Sequence, residues 1–95
     1  MPGKIQGKVV AITAAGGLVT DISAEQLRGA PTDESVLVSC DEHETCGIFP
    51  TDHGQPEATF LAYLGPSGAL ELDIVGVGAA PMLGVRVGEK VVVKW

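Results

Sequence analysis

The chain has few aromatic residues, no long apolar run and no apolar segment near its N-terminus. Only 4% of its 95 residues are aromatic, while 45% are hydrophobic and 13 are glycine. This composition predicts a compact fold rich in Val, Ile and Leu with many turns. No stretch matches the length and apolarity of a membrane span. The first residues, MPGKIQGK, have no apolar core of a secretory signal, so we expect a cytoplasmic protein.

Lysine and arginine are absent between Arg28 and Arg86, and this stretch contains nine of the twelve acidic residues. The formal net charge of the chain is −6. Such a surface repels phosphate groups, which argues against nucleic acid and against an anionic membrane as partners. The acidic stretch is expected to be a solubilising surface; the alternative is a face that attracts cations or a basic partner.

Short runs rich in β-branched residues alternate with turn residues along the whole chain. Seven strands are predicted, at residues 5–13, 18–22, 35–40, 45–49, 59–64, 69–75 and 90–94. Their regular spacing favours an all-β fold, a small closed barrel of about seven short, mostly antiparallel strands. No linker or internal repeat interrupts residues 1–95, so we expect one domain, with residues 51–58 forming an exposed loop.

Two short helical segments are predicted between the strands. Ser23 and Gln26 have the spacing of a capping box, in which a hydroxyl and an amide side chain bond to each other's backbone N–H. Residues 79–83 are predicted to form one helical turn, with Pro81 near its start, where a missing N–H costs little.

Two longer segments carry a resemblance to a known family. The first, GKVVAITAAGGLVTDIS, covers residues 7–23 and retains Gly16, Leu18, Val19, Thr20 and Ile22. The second covers residues 64–93 and contains a turn, a Leu-Glu-Leu strand, an Ala-Ala-x-x-Leu-Gly turn and a closing hairpin. In this order they resemble the C-terminal β-barrel domain of the S-adenosylmethionine hydroxide adenosyltransferase and fluorinase–chlorinase family.

The resemblance implies a barrel that contributes to an adenine pocket at a subunit interface of a trimer. An adenine site needs a flat apolar wall and hydrogen-bonding groups for the base edge. The corresponding positions here are Ala15 or Gly16, Gly17 and Val75, whose side chains offer neither. The family's catalytic N-terminal domain is outside these residues. The resemblance therefore favours a module with no catalytic and no cofactor-binding residues.

The function expected on this basis is a non-catalytic, stand-alone barrel module. We expect it to self-associate, as a trimer if the resemblance holds, and to bind a protein partner or a small ligand. An alternative is the accessory half of a split enzyme that uses S-adenosylmethionine.

A further alternative is a small metal-binding or redox protein, because all cysteines and histidines of the chain lie within fourteen residues. Cys40, His43, Cys46 and His53 have the spacing C-x2-H-x2-C-x6-H. Two thiolates and two imidazoles form a tetrahedral zinc set, although the spacing is not that of a standard zinc finger. Zinc is the one cofactor that the sequence suggests.

The same residues allow two other interpretations. If the hairpin mirrors about His43, Cys40 lies opposite Cys46, close enough for a disulfide after a small adjustment. The interpretation favoured by the sequence is two reduced, partly buried thiols, because free cysteine behaves as a small apolar residue. The neighbouring acids Asp41 and Glu42 are expected to raise the thiol pKa values, which argues against a catalytic cysteine.

Glu71 and Asp73 share one face of the sixth predicted strand. Paired carboxylates can serve acid–base chemistry. On the outside of a barrel, however, they are expected to be solvated.

Overall fold

The computed structural model describes residues 3–50, 54–65 and 67–95 of the chain, and their fold is almost entirely β, as predicted. The elements are β1 (Lys4–Ile12), β2 (Leu18–Ser23), β3 (Leu37–Cys40), β4 (His43–Cys46), β5 (Ile48–Phe49), β6 (Phe60–Leu64), β7 (Ala69–Ile74), α1 (Ala79–Leu83) and β8 (Lys90–Lys94).

The strands form one sheet in the order β4-β3-β8-β1-β2-β7-β6-β5. All neighbouring pairs are antiparallel except β5 and β6, which are parallel. The two strands at the ends of this order, β4 and β5, are consecutive in the chain, so the sheet curls back on itself. The hydroxyl of Thr45 on β4 donates a hydrogen bond of 3.2 Å to the carbonyl oxygen of Phe60 on β6. The sheet is therefore a nearly closed barrel.

One predicted strand is two strands in the structure. Gly47 separates β4 from β5 with a φ of +87°, a left-handed conformation that favours glycine. Its N–H donates to the carbonyl oxygen of Val36 at 2.9 Å, and that of Ile48 donates to Thr32 at 2.9 Å. The chain thereby leaves β3 and joins β6, which raises the count from about seven strands to eight.

The core lies inside the barrel, where alternate residues of each strand meet. Its fully enclosed large side chains include Leu18, Ile22, Leu70, Leu72, Val9, Val36, Val38, Val91 and Val93. One polar side chain, Thr20, lies among them. Its hydroxyl donates to the carbonyl oxygen of Leu70 at 2.6 Å and accepts from the N–H of Ile22 at 3.2 Å, so its burial leaves no hydrogen-bonding group unmatched.

The predicted capping box and the helical turn at residues 79–83 are both present, but no helix follows the capping box. The N–H of Gln26 donates to the hydroxyl of Ser23 at 3.1 Å, and the N–H of Ser23 donates to Oε1 of Gln26 at 2.9 Å. The residues that follow form turns without extending into a helix. Helix α1 has the predicted bounds and ends at Gly84, whose φ is +68°. Across the described segments, no helix is long and apolar enough to cross a membrane.

Candidate functional site

The β3–β4 hairpin has a different register from the one predicted. Cys40 lies opposite His43, and Cys46 lies opposite Leu37. The expectation that Cys40 faces Cys46 is therefore wrong. The reason is the turn: Asp41 adopts a φ of +56°, which Asp tolerates better than most residues, so that two residues connect the strands instead of a longer loop centred on His43.

This register places the two thiols on opposite faces of the sheet. Cys40 is fully buried in the core, and Cys46 is exposed on the outer face; both are free. Burial raises the pKa of the Cys40 thiol from 9.0 to about 11, with further contributions from the negative charges of Glu89 and Asp41. The direction agrees with the prediction, but burial and not the neighbouring acids is the largest cause. Cys40 is a poor nucleophile at neutral pH.

The hairpin brings Cys40 and His43 together but not the full predicted zinc set. The Nε2–H of the half-buried His43 donates to the carbonyl oxygen of Leu83, at the end of α1, at 3.3 Å. His53 lies outside the described residues. Within the described ranges, no three His, Cys, Asp or Glu side chains gather in a way that could hold a metal ion. The four-residue metal site thus stays a prediction, and Cys46 lies on the wrong face to join Cys40.

Of the positions that the resemblance assigns to an adenine pocket, Gly16 lies where the turn after β1 meets the segment containing α1. The carbonyl oxygen of Gly16 accepts a hydrogen bond of 2.8 Å from the N–H of Ala80. A Cβ on Gly16 would lie 3.1 Å from Cα of Gly78 and 3.2 Å from Cδ of Pro81. The backbone of α1 thus packs closely against this turn and leaves little room for a side chain at Gly16.

Glu71 is buried, in contrast to the solvated carboxylate that the sequence predicts. It is 4% exposed although it lies on β7, between Val19 of β2 and Tyr63 of β6. The hydroxyl of Tyr63 donates to Oε1 at 3.2 Å, and that of Ser67 donates to Oε2 at 2.9 Å. A Cβ on Gly65 would overlap the carboxylate. Absence of a side chain there allows the acid to pack under its two hydroxyl donors.

Four lysines form a feature that the sequence analysis missed, which we call the lysine ladder. Lys4 lies directly opposite Lys94, and Lys8 directly opposite Lys90, on the paired strands β1 and β8. All four side chains are exposed. The sequence does contain a sign of the ladder, because the two lysines of the first strand have the same spacing as the two lysines of the last strand. This sign can be recognised only when the two strands are known to pair.

A groove lies at one end of the ladder and is also new. It has a volume of about 520 Å³ and is open to solvent. We call it the tryptophan groove; its lining residues are Gly3, Lys4, Ser35, Leu37, Lys94 and Trp95. Leu37 and the indole supply an apolar wall, and the two lysines supply positive charge.

Five large hydrophobic side chains are exposed among the described residues, and we refer to them together as the apolar surface. They are Val10, Ile12, Val77, Met82 and Val87. Val10 and Ile12 lie on the second half of β1, and the other three lie in the segments that meet it. The N–H of Gly88 donates to the carbonyl oxygen of Val9 at 2.7 Å. Val87 and Val10 are the chain neighbours of these two residues, so their backbones lie near each other. The contact between Gly16 and Gly78 similarly places Val77 near the turn that follows Ile12.

No protein-family model matches the chain, and no curated protein matches it in sequence. Its fold is similar to that of solved structures. One is an uncharacterized conserved protein from Thermotoga maritima, with a TM-score of 0.78 and 19% identity over 95% of this chain and 35% of that one. Another is a conserved hypothetical protein from Thermus thermophilus, with a TM-score of 0.68 and 20% identity over 90% of this chain and 31% of that one.

These similarities concern the fold alone, because the sequence identities are low. The chain spans about a third of the length of both proteins. The same barrel fold thus occurs there as part of a longer polypeptide.

Proposed function

We propose that this barrel is a non-catalytic module that self-associates through the apolar surface. The observation that carries the proposal is the exposure of Met82 and Val87, which are 62% and 58% exposed, together with that of Val10, Ile12 and Val77. Apolar side chains grouped in this way gain about 1.5–3 kcal/mol each when they are fully buried against a partner. Grouped exposure of this kind is typical of an interaction surface.

A second copy of the chain is the partner that the charge distribution favours. The protein has a net charge of −6, so copies repel each other over most of their surface. The five side chains that define the apolar surface are uncharged, and contact there brings apolar groups together. Symmetric association through one patch on each copy is also the commonest way in which soluble proteins form oligomers.

The test introduces a charge into the apolar surface and measures the mass of the particle in solution. We expect the unmodified protein to be oligomeric by light scattering, and Met82→Glu to shift it toward the monomer, because an interface would bury the new carboxylate without a partner. Gln6→Glu adds the same charge to an exposed position of β1 outside the apolar surface and is the matched control. A monomeric unmodified protein at high micromolar concentration, or an oligomer unaffected by Met82→Glu, overturns the proposal.

A second candidate is the accessory half of a split enzyme that uses S-adenosylmethionine. It is supported by the occurrence of this barrel fold within proteins about three times as long. It predicts that a separate polypeptide with a larger domain co-purifies with the chain, and that S-adenosylmethionine or adenosine raises the thermal midpoint of the pair. If neither ligand moves the midpoint, alone or with such a polypeptide, this candidate fails.

A further inference from the structure

The tryptophan groove has a fixed aromatic floor. Two backbone hydrogen bonds join Trp95 to Gly3. The N–H of Trp95 donates to the carbonyl oxygen of Gly3 at 3.0 Å, and the N–H of Gly3 donates to the carbonyl oxygen of Trp95 at 2.7 Å. A Cβ on Gly3 would overlap the indole, so the ring lies directly against the Gly3 backbone. The ring is half-buried and packs against the core. A planar surface held in this way can receive another planar group by stacking.

Two lysines line the groove together with the indole. Lys4 and Lys94 are a directly opposed cross-strand pair, a position in which like charges repel. Among the described residues, no Asp or Glu lines the groove. An anion placed between the two side chains gains from both charges and removes the repulsion, which makes this end of the ladder complementary to a negatively charged group.

Each opposed lysine pair is one rung of the ladder. The second rung, Lys8 and Lys90, lies outside the groove and has a carboxylate nearby. Lys8 and Lys90 are opposed in the same way, but they do not line the groove. The carboxylate of Asp21 is close to this rung, because its Oδ1 accepts a hydrogen bond of 2.9 Å from the N–H of Lys8. The rungs are roughly 13 Å apart along β1 at the rise of a β-strand. The Lys8–Lys90 rung is therefore a control for charge alone.

We propose that the tryptophan groove binds a small planar aromatic anion, a ring that carries a carboxylate or a phosphate. The ring stacks on Trp95 with Leu37 beside it, and the anionic group lies between Lys4 and Lys94. The apolar wall argues against a bare inorganic anion, and the paired lysines argue against a neutral ring. This site is separate from the apolar surface, which lies around the other end of β1, so it does not depend on self-association.

The test uses nuclear magnetic resonance and three probes that separate ring from charge. They are 2-naphthoate, its neutral amide 2-naphthamide, and inorganic phosphate. Trp95 is the only tryptophan of the chain, so a single indole N–H signal reports on the groove. We expect 2-naphthoate to shift this signal and the backbone amides of Lys4 and Lys94, and to bind about tenfold more tightly than the amide because its hydrogen bonds are charge-assisted.

Substitutions then identify the side chains that hold the anion. Lys4→Gln and Lys94→Gln should each weaken 2-naphthoate binding about fivefold or more, whereas Lys8→Gln and Lys90→Gln, which remove the same charge from the other rung, should change it less than about twofold. All four positions are exposed, so folding is expected to persist and is checked in the same spectra.

Three results overturn the proposal. One is that 2-naphthoate leaves the indole signal unmoved. Another is equal affinity for 2-naphthoate and 2-naphthamide, or for 2-naphthoate and phosphate, which would mean a plain apolar patch or a plain anion site. The third is equal weakening by substitutions at the two rungs, which would mean that only the overall charge of the ladder matters.

Discussion

The hydroxyl of Tyr63 donates a hydrogen bond of 3.2 Å to the carboxylate of Glu71, an acid that is 4% exposed between two neighbouring strands. Ser67 donates to the other carboxylate oxygen. Two neutral hydroxyl groups thus hold a negative charge that is largely removed from water. The negative charge of Glu71 and the burial of the phenol together raise the pKa of Tyr63 to about 12, with burial the larger cause.

Replacement of Glu71 should therefore be costly. Glu71→Leu removes the carboxylate to which Tyr63 and Ser67 donate, and the loss of a hydrogen bond to a charged group costs about 1.5–3 kcal/mol. Glu71→Gln keeps one acceptor oxygen and should cost less. The measurement is the free energy of unfolding in urea. Glu44→Gln, at an exposed position of β4, is the control and should change the stability by less than about 0.5 kcal/mol. Equal stability of Glu71→Leu and the unmodified protein contradicts the structural role.

Stability should fall at alkaline pH because two groups hold their protons more tightly in the folded state. The pKa of Cys40 is raised from 9.0 to about 11, and that of Tyr63 from 10.0 to about 12. The unfolded chain loses these protons first, so deprotonation favours unfolding as the pH rises. The contribution is fully present below pH 9, decreases from there, and is lost by about pH 12.

Cys40→Val tests this pH dependence, since it removes the titrating thiol and keeps an apolar side chain. The decrease of the unfolding free energy between pH 9 and 11 should become shallower in this variant. Cys46→Ser removes the exposed thiol and should leave the profile unchanged. A profile of Cys40→Val that matches the unmodified protein would show that the Cys40 thiol titrates normally.

The two cysteines should differ sharply in reactivity. Cys46 is exposed, whereas Cys40 is buried with a raised pKa. Iodoacetamide at neutral pH should therefore modify Cys46 and leave Cys40 unmodified until the protein is unfolded. Mild oxidants should form no Cys40–Cys46 disulfide in the folded state, because the thiols lie on opposite faces. Mass spectrometry of digested protein distinguishes these products, and an intrachain disulfide formed without unfolding would refute the hairpin register.

Zinc binding provides a separate test of the predicted metal site. With Cys46 facing away from Cys40, protein purified without a polyhistidine tag should contain less than one equivalent of zinc. Added zinc should leave the thermal midpoint unchanged, because a metal bound to the folded state would raise it. One equivalent of zinc that is lost in both Cys40→Ser and Cys46→Ser would instead establish the site and require a different hairpin.

The sequence by itself determined the features whose residues lie only a few positions apart in the chain. The Ser23–Gln26 box closes over three residues, and α1 ends at Gly84 because this glycine adopts a left-handed φ of +68°. The all-β class likewise followed from short β-branched runs separated by turns. These features depend on local dihedral preferences and nearby hydrogen bonds, which the chain carries with it wherever it folds.

Only the tertiary structure decided which side chains meet across the sheet. A shift of register by one residue moves every side chain to the other face, so the two-residue turn at Asp41 separated the thiols that the spacing had placed together. Lys94 and Trp95 meet Lys4 and Gly3 from the opposite end of the sequence because β8 pairs with β1. Burial of Glu71 depends in the same way on Tyr63 in the neighbouring strand. Such contacts arise from the way the strands pair, which the runs of β-branched residues do not specify.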